Sequence, residues 1–87
     1  MKVFEVCYQV SDNIFTVNMI EAAHVNGHEL EAVTETAERY AAHYYYKVAA
    51  IIELCDWHVA ENRRRGMPYY SIDDAARKKY DTRAIAE

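Results

Sequence analysis

The stretch from Tyr44 to Trp57, YYYKVAAIIELCDW, decides the fold, because it reads either as a strand or as the continuation of a helix. Val48, Ile52 and Cys55 recur near helical spacing, which would carry one helix as far as Arg65. A strand is favoured because tyrosine and β-branched residues are enriched and two sets of residues alternate. A helix from 29 to 65 would also far exceed the typical length of about 11–12 residues. We therefore predict a strand over 46–54.

Upstream of this stretch, two alternating segments predict a β-hairpin. Residues 3–10 place Phe4, Val6 and Tyr8 on one side of a strand. Turn-forming residues follow at 11–13, and alternation resumes over 14–22.

An amphipathic helix of about four turns is predicted after the hairpin. Asn26 can cap it, with Glu29 reaching back in a capping box. Acidic residues occupy one face. The inward face is predicted to carry Leu30, Val33, Ala37, Tyr40, Ala41 and Tyr44.

Downstream, Asp56 is predicted to cap a second helix over 57–65. Gly66 is placed for a left-handed residue after the helix, and Pro68 prevents continuation. The three arginines at 63–65 fall in the last turn, where cations meet the negative end of the helix dipole. Their position therefore has a structural explanation that requires no ligand.

The remaining residues predict a short extended segment at 68–72, which can form an edge strand. Ser71 and Asp74 match a capping box, so a terminal helix is predicted from Ile72 to about Ala84. It would turn Ala75, Ala76 and Tyr80 inward, and the last residues offer little to anchor it.

These elements predict an α+β fold of the ββαβα type, with an antiparallel sheet, one helix across a face, a short fourth strand and a C-terminal helix. Residues 1–72 would form a single domain and 73–87 a helix or tail. The first strand would lie in the middle, with Phe4, Val6 and Tyr8 under the first helix. The second face would carry Val3, Cys7, Ile14, Ile20, Ala49 and Ile51.

Charge and cysteine usage limit the function. The net charge is −4, with eight acidic and three basic residues up to Cys55, and six acidic and seven basic after it. Broad nucleic-acid binding is disfavoured, since phosphate binding needs clustered cations. The two cysteines match neither a disulfide framework nor a CxxC motif, and no membrane span or signal peptide is visible. We expect a cytoplasmic protein with free thiols.

Catalytic and metal motifs are missing from the sequence. There is no glycine-rich phosphate loop, GxSxG, HExxH or paired CxxC. His24 and His28 could share a metal, but no strongly spaced third ligand accompanies them. We expect no catalytic residues, no metal and no cofactor.

A protein-interaction module is the favoured function, because eight tyrosines in 87 residues cannot all be buried in so small a core. The predicted partner-binding residues are Trp57, Arg64, Arg65, Tyr69 and Tyr70. A small domain with a bare apolar face also predicts a homodimer. The alternative is a single-stranded nucleic-acid-binding module that uses Arg63–Arg65 with Tyr69 and Tyr70. The acidic helix face is a solvated surface or, alternatively, a mimic of phosphate.

The segments KVFEVCYQV and IFTVNMIEAA near the start, with ENRRRGMPYYSI near the end, resemble short open reading frames of gut bacteria and their mobile elements. The resemblance covers residues 1–72 and implies a hairpin, a helix and a strand-like ending. It assigns no functional residues. It implies a small accessory protein of a mobile element, including an inhibitor that binds a host protein.

Overall fold

The structure, a computed structural model, describes residues 2–80. Within them, three helices pack on a four-stranded sheet, so the predicted α+β class is confirmed. The strand predicted at 46–54 is confirmed over 47–54, and the alternative of one long helix is wrong. The elements in chain order are β1 (Lys2–Ser11), β2 (Ile14–Ala22), α1 (Glu29–Tyr44), β3 (Lys47–Leu54), α2 (Asp56–Arg64), β4 (Tyr69–Ser71) and α3 (Asp74–Tyr80).

The sheet has the strand order β3-β1-β2-β4, with β1 antiparallel to both β2 and β3. The predicted hairpin and the central position of the first strand are confirmed. The edge strand predicted at 68–72 is confirmed as β4. It pairs parallel with Met19–Glu21 of β2, so the sheet is mixed, whereas the sequence predicted a purely antiparallel one.

The register of the hairpin changes by one residue near its turn. Gln9 pairs with Phe15, but Ser11 pairs with Ile14, so Val10 is an extra residue of a β-bulge. A shift of one residue exchanges the two faces of a strand. The bulge therefore decides which side chains of β2 enter the core.

Ile20 consequently lies on the side opposite to the prediction, and so does Ile14, six residues earlier on the same strand. Ile20 pairs with Phe4 and faces α1 rather than the second face.

Ile51 of β3 was also predicted for the second face and lies on the α1 side, where it pairs with Val6. Ala49 is the extra residue of a second bulge, in β3.

The core lies between α1 and the sheet. Phe4, Val6 and Tyr8 of β1 face Val33 and Ala37 of α1, as predicted. Alanines on α1 bring the helix close to the strands because they add no bulk beyond Cβ. The buried members of this core are Phe4, Val6, Tyr8, Ile20, Ala22, Val25, Ala32, Val33, Ala37, Ala41, Ile72 and Ala76.

The start of α1 differs from the predicted capping box. The N-cap residue is His28 rather than Asn26, and no side chain caps the helix. Glu29 does reach back, but its carboxylate accepts the backbone N–H of Gly27 at 2.8 Å. Leu30, predicted to face inward, is exposed.

The second helix begins one residue earlier than predicted. Cys55 is the N-cap and Asp56 is the first helical residue, so the prediction that Asp56 caps α2 is wrong. The expectation for its end is confirmed: Arg63 and Arg64 lie in the last turn, and Gly66 is left-handed with φ +84°.

The third helix is capped by Asp73, whose carboxylate accepts the Ala76 N–H at 2.8 Å. The predicted capping box of Ser71 and Asp74 is wrong, because the Ser71 hydroxyl donates to Glu21 at 3.0 Å. Ala76 is buried as predicted, whereas Ala75 is exposed. The part of the predicted helix beyond Tyr80 lies outside the described residues.

Candidate functional site

The five residues predicted to bind a partner do not form one surface. Tyr69 and Tyr70 are neighbours on β4, so their side chains point to opposite faces of the sheet. The guanidinium of Arg63 lies 4.6 Å from the centre of the Tyr69 ring. The Tyr70 ring lies on the other side, 6.0 Å from that of Tyr40.

The exposed arginines at the end of α2 are paired within the helix. Arg64 contacts the Glu61 carboxylate at 2.5 Å and Arg65 contacts it at 3.2 Å. The hydrogen bond from Arg64 lowers the pKa of Glu61, and Arg65 acts in the same direction. These pairs reduce the charge available to an anionic ligand, which weakens the support for the nucleic-acid alternative.

Trp57 lies in the first turn of α2, about 10 Å along the helix axis from Arg64 at 1.5 Å per residue. The residue is 67% exposed. Within residues 2–80, the aromatic ring beside it is that of His58, with 5.1 Å between the ring centres and the two planes 71° apart. An exposed tryptophan of this kind is typical of interface anchors.

The side of the sheet that faces away from α1 is divided into two halves. α2 covers the half near the start of β1, where Val3 and Met19 are buried. The amide of Asn62 on α2 donates to the Glu5 carboxylate at 3.1 Å, which ties the helix to this half.

The other half is uncovered, and we call it the open sheet face. Phe15 and Ile52 are each 54% exposed there, although both are large and apolar. Cys7 on β1 pairs with Val17 on β2 and with Ala50 on β3, so Cys7, Val17 and Ala50 form one row across the three strands. The open sheet face consists of Cys7, Phe15, Val17, Ala50 and Ile52.

Sequence reasoning missed a cluster of tyrosines on the α1 side. Tyr8, on β1, lies 4.9 Å from Tyr40 and 6.3 Å from Tyr46, measured between ring centres. Burial raises the pKa of Tyr8 to about 12 and also raises the pKa of Tyr40. Tyr44 continues the cluster, with its ring 4.8 Å from that of Tyr40. The only signal in the sequence is the spacing of Tyr40 and Tyr44 on one helix face.

Groups suited to metal chemistry do not converge in the described part of the chain. Among residues 2–80, no three or more His, Cys, Asp or Glu side chains lie close enough to hold a metal ion. Cys7 and Cys55 are free, and the Cys55 sulfur lies 3.3 Å from Nδ1 of His58. In the same residues, no helix has the length and apolar character needed to cross a membrane.

Comparison with protein-family models, with curated proteins and with solved structures found no match to this chain.

Proposed function

We propose that the protein is a non-enzymatic protein-interaction module whose contact surface is the open sheet face. The observation that supports this most directly is the exposure of Phe15 and Ile52, each 54%, in a face whose other half is covered by α2. Apolar residues grouped on one face of a sheet are typical of protein contacts.

The occupant we assign to the open sheet face is a second copy of the chain. A two-fold interface must be complementary to itself, and the five apolar members of the open sheet face meet that requirement. Gln9 and Lys47 lie beside Phe15 at the rim of this face. The bulge at Ala49 interrupts the regular pairing edge of β3, which disfavours edge-to-edge pairing of strands. We therefore propose that the two sheets stack face to face, with Trp57 at the rim.

The wider setting is the one that the resemblance implies: a cytoplasmic accessory protein of a mobile element that acts by binding a host protein. The free thiols of Cys7 and Cys55 are compatible with a reducing compartment. In this setting the partner would contact the surface formed by α2 and β4 beside the dimer interface, including Tyr69 and the arginines of α2.

The test is the molar mass measured by light scattering across a concentration series up to high micromolar. We expect a dimer, and we expect Ile52→Glu and Phe15→Glu to shift it to monomer, because each places a charge in the apolar contact. Ile14→Glu is the matched control, since Ile14 is 57% exposed at the hairpin turn and lies outside the open sheet face.

A monomer at every concentration would overturn the proposed dimer. Equal disruption by Ile14→Glu and Ile52→Glu would show that the contact is elsewhere. Retention of the dimer by Trp57→Ala together with its loss in Ile52→Glu would place Trp57 outside the interface and leave the open sheet face inside it.

A further inference from the structure

A cleft of about 440 Å³ opens on the α1 side of the sheet, between α1 and the strands β2 and β4. Its volume falls within the range of roughly 300–1,000 Å³ that is usual for small-molecule sites. We call it the aromatic cleft, and the residues that matter for its chemistry are Asn18, Ile20, Arg39, Tyr40, Tyr44 and Tyr70.

Asn18 contributes a buried polar group to this cleft. Its side chain is part of the lining, and the residue is only 1% exposed. The amide oxygen Oδ1 accepts a hydrogen bond from the Tyr8 hydroxyl at 3.0 Å, which fixes one end of the amide. The other end, Nδ2, is buried without a hydrogen-bond partner in the protein.

A buried amide N–H without an acceptor is costly, by about 1–3 kcal/mol, and rare in folded proteins. The cost disappears when a ligand supplies an acceptor oxygen at this position. Because Nδ2 is itself buried, a ligand oxygen reaches it only when neighbouring side chains of the cleft move aside. Its unpartnered N–H then indicates the chemical group that the cleft would recognise, which is a carbonyl oxygen or an equivalent acceptor.

The walls of the cleft favour a flat apolar ligand. The rings of Tyr40 and Tyr44 lie 4.8 Å apart, and that of Tyr70 lies 6.0 Å from Tyr40, between ring centres. Tyr44 and Tyr70 are both about half exposed, so their ring surfaces are accessible from the cleft opening. Aromatic side chains attract planar rings by stacking and edge contacts.

The charges around the cleft favour an uncharged ligand. Arg39 forms an ion pair with Asp73, and both residues line the cleft together with His43. The hydroxyls of Thr36 and Ser71, which also line the cleft, donate to the Ala32 carbonyl and to Glu21. Because the guanidinium of Arg39 is already paired, it is less available to hold a phosphate or a carboxylate.

We propose that the aromatic cleft binds an uncharged planar ring compound that carries a carbonyl oxygen, with this oxygen accepting a hydrogen bond from Nδ2 of Asn18. The site lies on the face of the sheet opposite the open sheet face. It therefore does not depend on the proposed dimer, and either proposal can fail without the other.

The test uses two probes of matched shape, indanone and its parent hydrocarbon indane, titrated into the full chain and followed by two-dimensional amide NMR spectra. We expect indanone to bind about fivefold more tightly, as one neutral hydrogen bond in a buried site contributes. The side-chain amide signals of Asn18 should shift with indanone and stay in place with indane.

Substitutions distinguish the contribution of the aromatic wall from that of the Asn18 amide. Tyr70→Ala should weaken both probes severalfold, whereas Tyr69→Ala, on the same strand but on the opposite face, should leave both unchanged. Asn18→Leu should remove the preference for indanone. If that variant does not fold, the Asn18 amide signals of the unmodified protein provide the same discrimination.

Absence of shifts with either probe at millimolar concentration would overturn the proposal. Equal affinity for indanone and indane would remove the role of Asn18. A loss in Tyr69→Ala as large as that in Tyr70→Ala would show that the aromatic cleft is not the binding site.

Discussion

The two faces of the sheet are built differently, although one helix lies on each. Under α1, Val6, Tyr8 and Val33 are fully buried, and the helix contributes four buried residues to the core. Under α2, half the sheet stays open, and the helix itself has no buried residue.

The difference follows from the two helix sequences. α1 has alanine or valine at 32, 33, 37 and 41, which gives a narrow apolar stripe that approaches the sheet closely. α2, DWHVAENRR, is polar around most of its circumference, so it covers the sheet without forming a second core. The α1 side therefore contributes most of the buried core, whereas the α2 side leaves Phe15 and Ile52 exposed.

The largest predicted effect on the free energy of unfolding comes from replacing one isoleucine by alanine on each face of the sheet and comparing the two losses. Ile20→Ala, on the α1 side, should lower the free energy of unfolding by about 2–5 kcal/mol, because it leaves a cavity in the core. Ile52→Ala, in the open sheet face, should lower it by less than about 1 kcal/mol when measured at low protein concentration. Urea denaturation measures both, and equal losses would contradict the division of roles.

A second prediction uses the buried phenol of the α1 side. Because the pKa of Tyr8 is raised to about 12 in the folded protein, from an ordinary value near 10, the folded chain keeps a proton that the unfolded chain loses. The contribution of protonated Tyr8 to the free energy of unfolding is fully present below about pH 10. It is lost as the pH rises through the pKa of about 12 that Tyr8 has in the folded protein, and the loss is on the order of 2–3 kcal/mol.

The check is the free energy of unfolding measured from about pH 9 to pH 12. Tyr8→Phe is the control, and it should have a flatter pH profile than the unmodified protein. An identical slope in the two proteins would show that Tyr8 does not account for the loss. Tyr69 and Tyr80, which also have raised pKa values, are not among the causes of the Tyr8 shift and should contribute equally to both proteins. Tyr40 is coupled to Tyr8, so its contribution changes together with that of Tyr8.

A smaller effect concerns α3, which completes the α1 side. Asp73→Ala should cost about 1 kcal/mol, because it removes the cap on the Ala76 N–H and the ion pair with Arg39. Asp73→Asn should retain most of the cap. Ser71→Ala should cost less than about 0.5 kcal/mol, since the exposed hydroxyl bonds only to Glu21. The reverse order would favour the capping box that the sequence predicted.

The sequence predicted the elements well because their signals are local. Alternation identified the hairpin and β3, and Gly66 marked the end of α2, where the chain takes the left-handed conformation. The caps were misplaced by one or two residues, since several consecutive residues before each helix can serve as caps.

The faces of the sheet could not be predicted because they depend on two bulges. An unbroken hairpin would put Ile20 on the second face, whereas the extra residue at Val10 turns it toward α1. The same shift brings Asn18 under α1, beside Tyr8. Sequence alternation carries no information about an extra residue of this kind, so the aromatic cleft and the open sheet face emerged only from the structure.

The smallest predicted effect tests the α2 side, at the residue that the sequence identified as a cap. Since Cys55 is the N-cap and Asp56 is already helical, Asp56→Ala loses only the attraction between a carboxylate and the positive end of the helix. We expect a cost of less than about 0.5 kcal/mol, reduced further by salt.

Gly66→Ala, just beyond the end of the same helix, provides the comparison. Apart from Gly66 itself and its two chain neighbours, no atom lies within 4 Å of the position that a Cβ would take. The cost therefore comes from backbone strain at φ +84° and should be about 1 kcal/mol. Urea denaturation at low and high salt measures both variants. A cost for Asp56→Ala as large as that for Gly66→Ala, and unaffected by salt, would show that the carboxylate caps the helix through a hydrogen bond. It would also show that α2 is anchored more firmly to the sheet than its lack of buried residues implies.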